Sequence, residues 1–146
     1  MKKITGLLVV FTILGCLTGG FANASGPNDS SFKVAREQII GVISDQIQAF
    51  ELEDVDRAYH HASQSIKKLF ESSEIFGQMV RNSYPMIWDP AAFEFLRTVE
   101  HPGGYVQRMM FKDSSGQVYF FDYMLERAGN RWVIAGVYPS IGSSGV

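Results

Sequence analysis

Three histidines, a single cysteine and one aspartate set among apolar strand residues are where this chain could do acid–base, nucleophilic or metal chemistry. His60 and His61 are sequence neighbours, and neighbours on a helix diverge by about 100°, so the two cannot reach one metal ion. His101 stands beside Pro102, Gly103 and Gly104, in turn-forming sequence. The H-E-x-x-H spacing and its relatives are absent, so neither a metal site nor a cofactor is expected. Cys16 lies in the N-terminal apolar run. The rest of the chain therefore has no thiol nucleophile, thiolate zinc site or cysteine-ligated cluster. Nothing matches a Ser-His-Asp arrangement, a nucleophile elbow, a P-loop or a dinucleotide fingerprint.

Asp122 falls between Phe120 and Met124 at alternate positions, where strand periodicity calls for apolar side chains. Burial would raise its pKa and an arginine neighbour would lower it. A hairpin centred on Ser114-Ser115 pairs residues whose numbers sum to about 229 or 230, which puts Arg108 beside Asp122. Two readings stand: a cross-strand ion pair, or the acid–base group of a small lyase or isomerase.

The second half of the chain is crowded with aromatic residues and with Met109, Met110 and Met124. Gln46 interrupts the stripe formed by Ile39, Ile43, Ile47 and Phe50, and a buried amide there must find a partner. One account is a thick core. The other is an apolar cavity in which Gln46, Tyr84, Trp88, Tyr105, Tyr123 and Trp132 bind a small apolar molecule.

The elements that would position these groups follow from the hydrophobic period. Lys2 and Lys3, the apolar run from Ile4 to Leu17 and Ala22-Asn23-Ala24 read as a signal peptide over 1–24, with cleavage before Ser25 and export to the periplasm or beyond. Ile13-Leu14-Gly15-Cys16 loosely matches a lipobox, which makes a lipid anchor at Cys16 the minority alternative. The run is too short for a stable membrane span, and none is expected later. Residues 25–31 read as a flexible leader, 32–139 as one domain, and the Gly/Ser-rich 140–146 as a flexible tail.

A long helix capped by Ser30 or Ser31 is expected to run to Glu51. Short helices follow over Glu53–His61, over Ser63–Phe70 with Ile66, Leu69 and Phe70 at helical spacing, and over Ser73–Asn82. Met86–Pro90 reads as a rigid connector. Strands are expected at Phe93–Glu100, Tyr105–Lys112, Gln117–Arg127 and Arg131–Tyr138, joined by hairpin-length turns into an antiparallel meander. Helices first and strands afterwards is an α+β pattern. Without the two leading lysines, the chain carries 11 Lys and Arg against 15 Asp and Glu, a formal charge of −4. The signs are interspersed, which argues against a nucleic-acid partner.

Several of these segments carry a resemblance. Ile39-Ile40, Gln46-Ile47-x-Ala49-Phe50, Asp54 to Asp56, Ala62-Ser63 before Ile66, Phe76-x-x-Met79-Val80 before Tyr84, and Arg131-Trp132-x-Ile134-Ala135-Gly136 resemble a bacterial family of domains of unknown function, number 4864. The likeness runs from about Val34 to Tyr138. It departs at Gln64, where relatives often have proline, and at Val137, where a cysteine is common. That family is similar to the nuclear-transport-factor-2-like superfamily, which implies a curved four-stranded sheet wrapping a helix into a cone with an internal pocket. It implies no particular chemistry.

The function expected is an exported, non-catalytic domain binding a small ligand or a partner protein. The alternatives are a structural homodimer and a lyase or isomerase using Asp122. A homodimer follows from accounting: the third strand is apolar on both faces, one helix stripe covers only one of them, and a partner copy would cover the other.

Overall fold

The computed structural model describes residues 27–141. The expected signal segment, Cys16, the cleavage point before Ser25 and residues 142–146 of the expected tail lie outside the described residues.

Helix α1 spans Pro27–Glu51. It starts ahead of both serines expected to cap it, so residues 27–31 belong to the helix and not to a leader. Pro27 is tolerated because the first-turn N–H needs no intrahelical partner, and Asp29 in the first turn suits the positive end of the helix dipole. Ile39, Ile43 and Ile47 are fully buried, with Ala35 and Phe50 on the same stripe.

After α1 the chain reverses through Glu53, whose φ of 57° is left-handed. The Asp54 N–H bonds back to the Ala49 carbonyl at 2.8 Å and the Glu53 N–H to Phe50 at 2.9 Å, which satisfies carbonyls the helix end leaves open. Asp54 then caps α2 (Val55–His60) by accepting from the Arg57 N–H. Ser63 and Ser72 do the same for α3 (Gln64–Phe70) and α4 (Ser73–Ser83). Gly77 allows α2 and α4 to touch, because a Cβ there would lie 2.4 Å from Val55 Cγ1. The connector after Tyr84 contains one helical turn, α5 (Pro85–Trp88), since Pro85 at its first position is already set to a helical φ.

Four strands follow: β1 Ala92–His101, β2 Gly104–Lys112, β3 Val118–Ala128 and β4 Arg131–Pro139. They pair antiparallel in the order β1-β2-β3-β4, an open α+β meander. Arg108 stands opposite Asp122, in the register that the turn length dictates. Irregularities interrupt the ladder between Phe95 and Thr98 and between Met124 and Leu125. The free edge of β4 is met by residues 61–63: the Ile134 N–H bonds the His61 carbonyl and the Ser63 N–H bonds the Ile134 carbonyl, both at 2.8 Å.

Met109, Phe111, Phe121, Tyr123 and Leu125 face the helices and are buried. Val106, Met110, Phe120 and Met124 point the other way and are half-buried. Gln107 is buried among the inward set; it accepts from the Thr98 hydroxyl at 2.5 Å and donates to the Arg108 carbonyl at 2.8 Å.

Candidate functional site

The sheet and α1 do not close completely on one another. Between α3, α4 and the β3–β4 edge lies a cavity of about 290 Å³. Its wall draws on α1, α3, α4, α5 and the sheet. Gln46 and Phe50 come from α1, Phe76, Met79 and Val80 from α4, and Tyr123, Ile134 and Val137 from the sheet. Tyr84 and Ile87 close it beside α5, and Ile66, Leu69 and Phe70 of α3 form the remaining side. Leu69 lines the cavity and is 73% exposed, so it marks its mouth. Helix α3 contributes no fully buried residue, because its apolar side chains face this space.

Among the described residues lining the cavity, none carries a charge and none is histidine. The lining residues with polar side chains are Gln46, Tyr84, Tyr123 and Tyr138; the Tyr123 hydroxyl is itself buried, and Tyr138, opposite Asp122 in the ladder, belongs to the outer sheet face. Gln46 is 3% exposed, and its Nε2 donates to the Ala58 carbonyl at 3.2 Å, which ties α1 to α2. Tyr123 is fully buried, and its hydroxyl has no hydrogen-bond partner among the described residues. Burial alone pushes that phenol well above its ordinary value of 10.0. Tyr84 packs edge-on against Phe121 at 5.9 Å.

Of the six residues expected to share a ligand site, Gln46, Tyr84 and Tyr123 line the cavity; Trp88, Tyr105 and Trp132 do not. Trp88 is a core residue packed on Phe50, with the Arg81 guanidinium 4.6 Å from its ring. Tyr105 and Trp132 meet edge to face at 5.3 Å, and Tyr105 also packs against Phe32 of α1. The Trp132 indole donates to Gln38 Oε1 at 3.1 Å beneath the Arg127 guanidinium. The strands are long enough that aromatic residues at opposite ends serve different neighbours.

Asp122 lies on the face of β3 opposite to Tyr123 and is held by two parallel bonds from Arg108, Nε to Oδ1 and Nη2 to Oδ2, each 2.8 Å. Arg108 holds its carboxyl below the ordinary range, with burial opposing. A carboxylate so engaged is a cross-strand strut.

A second polar cluster has no counterpart in the sequence reading. Asp45 on α1 accepts from His61 Nε2 at 2.5 Å and from Arg57 Nε at 3.2 Å, and Arg57 Nη2 bonds its other oxygen. Arg57, then His61, lower the Asp45 carboxyl to about 2. His60 turns elsewhere: its Nε2 accepts from Arg131 Nη1 at 2.6 Å, and burial followed by that guanidinium pushes the imidazole below its ordinary value. His101 is exposed and lies against the Pro102 carbonyl. Asp45, Arg57 and His61 are 12 and 16 positions apart on separate segments, so no local spacing announces them.

No helix among the described residues is long and apolar enough to cross a membrane. No curated protein and no solved structure matches the chain. Residues 33–140 match the family model described as Domain of unknown function (DUF4864), and the chain belongs to that family.

Proposed function

We propose that this member of the DUF4864 family is an exported, non-catalytic domain that holds a small apolar molecule between its helices and its sheet. The observation that carries the reading is the cavity of about 290 Å³, close to the lower end of small-molecule sites, whose described lining residues are apolar apart from Gln46 and three tyrosines. Engagement of Asp122 by Arg108, on the face away from the cavity, favours binding over lyase or isomerase chemistry. A helix-lined sheet with an internal pocket is also what a nuclear-transport-factor-2-like cone would provide, and we extend the reading to that superfamily. Export rests on the N-terminal pattern of Lys2, Lys3, the apolar run and Ala22-Asn23-Ala24. Native mass spectrometry of the protein taken from its own periplasmic or extracellular fraction tests the reading. A retained mass in excess of the chain supports it; a chain that stays empty there and takes up no apolar probe would overturn it.

A specific observation favours a second, compatible property, pairing of two copies through the outer sheet face. Val99 and Val118 on that face are 47% and 39% exposed, and Val106, Met110, Phe120 and Met124 lie half-buried between them. Its central Arg108–Asp122 pair is internally neutralised. The register also puts Glu94, Lys112 and Glu126 on that face, so a two-fold partner would return the same apolar patch with these charges around it.

A further inference from the structure

Five consecutive residues of β4, Ile134 to Tyr138, line the cavity. Side chains alternate between the two faces of a strand, so a space that meets five in a row meets the strand along its edge, where the main chain lies. Along an edge, residues alternate in whether their N–H and C=O point into the ladder or away from it. Ile134 points away from β3: its N–H bonds the His61 carbonyl, and its carbonyl accepts from the Ser63 N–H, both at 2.8 Å. The register pairs Leu125 with Ile134 and Met124 with Gly136, so Ala135 is an extra residue in the ladder. The next residue to repeat the aspect of Ile134 is therefore Val137, opposite Tyr123.

The 61–63 segment leaves the edge before it reaches Val137, because Ser63 caps α3 and the chain turns into that helix. Among the described residues, no backbone group bonds the Val137 N–H or carbonyl from that side. An N–H and a C=O side by side on a free strand edge are a template for one more strand. The Val137 side chain shares the inner face with Tyr123, so a residue added opposite Val137 would send its own side chain inward as well. Phe50, Phe76 and Val80 line that space, and no described lining residue is charged. Its volume of about 290 Å³ holds roughly ten non-hydrogen atoms at the roughly 30 Å³ that a water-sized group occupies in a liquid. An aromatic side chain fits within that.

We infer that the β4 edge at Val137 takes an extended peptide as one added strand, with one apolar side chain of that peptide in the cavity. The inference rests on the cavity being a ligand site, as proposed above, and assigns its apolar occupant to a peptide. Main-chain bonds to Val137 would supply affinity whatever the peptide's sequence, and the cavity would select the side chain.

Three uncharged probes test it on the purified full-length protein: an acetylated, amidated peptide with phenylalanine between two threonines; the same peptide N-methylated at phenylalanine and at the residue after it; and propylbenzene, which stands for the side chain alone. In calorimetric titration the parent peptide should bind, and the methylated one at least tenfold more weakly, since it lacks the N–H that would donate to the Val137 carbonyl in either strand direction. Amide hydrogen exchange read by NMR is the second measure. Saturating parent peptide should slow exchange of the Val137 N–H at least tenfold, and propylbenzene should leave it unchanged. Equal affinity of the two peptides, or Val137 exchange that the bound peptide does not slow, would overturn the added strand. Binding of propylbenzene without binding of the peptide would also overturn it, while the ligand site survives. If none of the three binds, the ligand-site reading falls, and this inference with it.

Discussion

Replacing Gln46 by leucine and by glutamate, one neutral and one ionisable, probes the least conventional feature of α1. Gln46 is 3% exposed and makes one side-chain bond, at 3.2 Å to the Ala58 carbonyl. Leucine forfeits that bond, worth about 1 kcal/mol. The Ala58 carbonyl is not orphaned, because the His61 N–H also reaches it at 3.3 Å. Leucine adds apolar surface to an apolar wall, a gain of about 1 kcal/mol. The two nearly cancel, so Gln46→Leu should lie within about 1 kcal/mol of wild type. Gln46→Glu is different. Its neutral acid can still donate to the Ala58 carbonyl, whereas its carboxylate would face that carbonyl without a counter-ion. Burial therefore raises the folded-state pKa above the unfolded value of about 4.3. A raised pKa contributes stability that is complete below the unfolded value and is lost as pH rises through the folded one. The variant should be near parity with wild type at pH 4, and about 3 kcal/mol worse at pH 7. Urea unfolding followed by tryptophan fluorescence at the two pH values measures both variants. A Gln46→Glu deficit that does not change with pH, or a Gln46→Leu loss above about 3 kcal/mol, would refute the placement of this amide in an apolar wall.

Asp45→Asn should remove an acid-dependent contribution of about 1 kcal/mol, a figure discounted because both Asp45 and Arg57 side chains are about one-third exposed. The Asp45 carboxyl is lowered from 3.8 to about 2, so that contribution is present above pH 3.8 and lost as pH falls through about 2; unfolding curves across this window should differ between wild type and variant. Asp122→Asn should cost about 1–2 kcal/mol of stability and leave any retained small molecule in place, and loss of the molecule from a folded variant would restore Asp122 to the site. Light scattering should give twice the chain mass for the wild type and the monomer mass for Phe120→Glu, and a wild-type monomer at high concentration would remove the pairing. Amino-terminal sequencing of the exported protein should return Ser25, with Met1 contradicting cleavage and a modified Cys16 selecting the lipid-anchored alternative.

Local chemistry wrote most of the fold into the sequence. Ser63 and Ser72 stand at the heads of their helices, where a hydroxyl satisfies an otherwise open N–H. The short connector between β2 and β3 left one register that keeps Phe121 and Tyr123 inside, and that register delivered Arg108 to Asp122. Burial of Gln46 followed from helical period alone. The start of α1 was less legible, since a proline and small polar residues read equally well as a first turn or as a leader.

What only the tertiary structure decided is which groups meet. Tyr105, Tyr123 and Trp132 share the inner sheet face, yet Tyr123 alone of the three reaches the cavity, because α1 covers one end of the sheet while α3 stands off the other. The Asp45–Arg57–His61 cluster depends on the left-handed turn at Glu53, which folds α2 back on α1, and on the 61–63 segment docking against β4. Such meetings are fixed by the angle and offset at which whole elements pack. Those quantities are set by many side chains distant in sequence, so no single window of residues contains them.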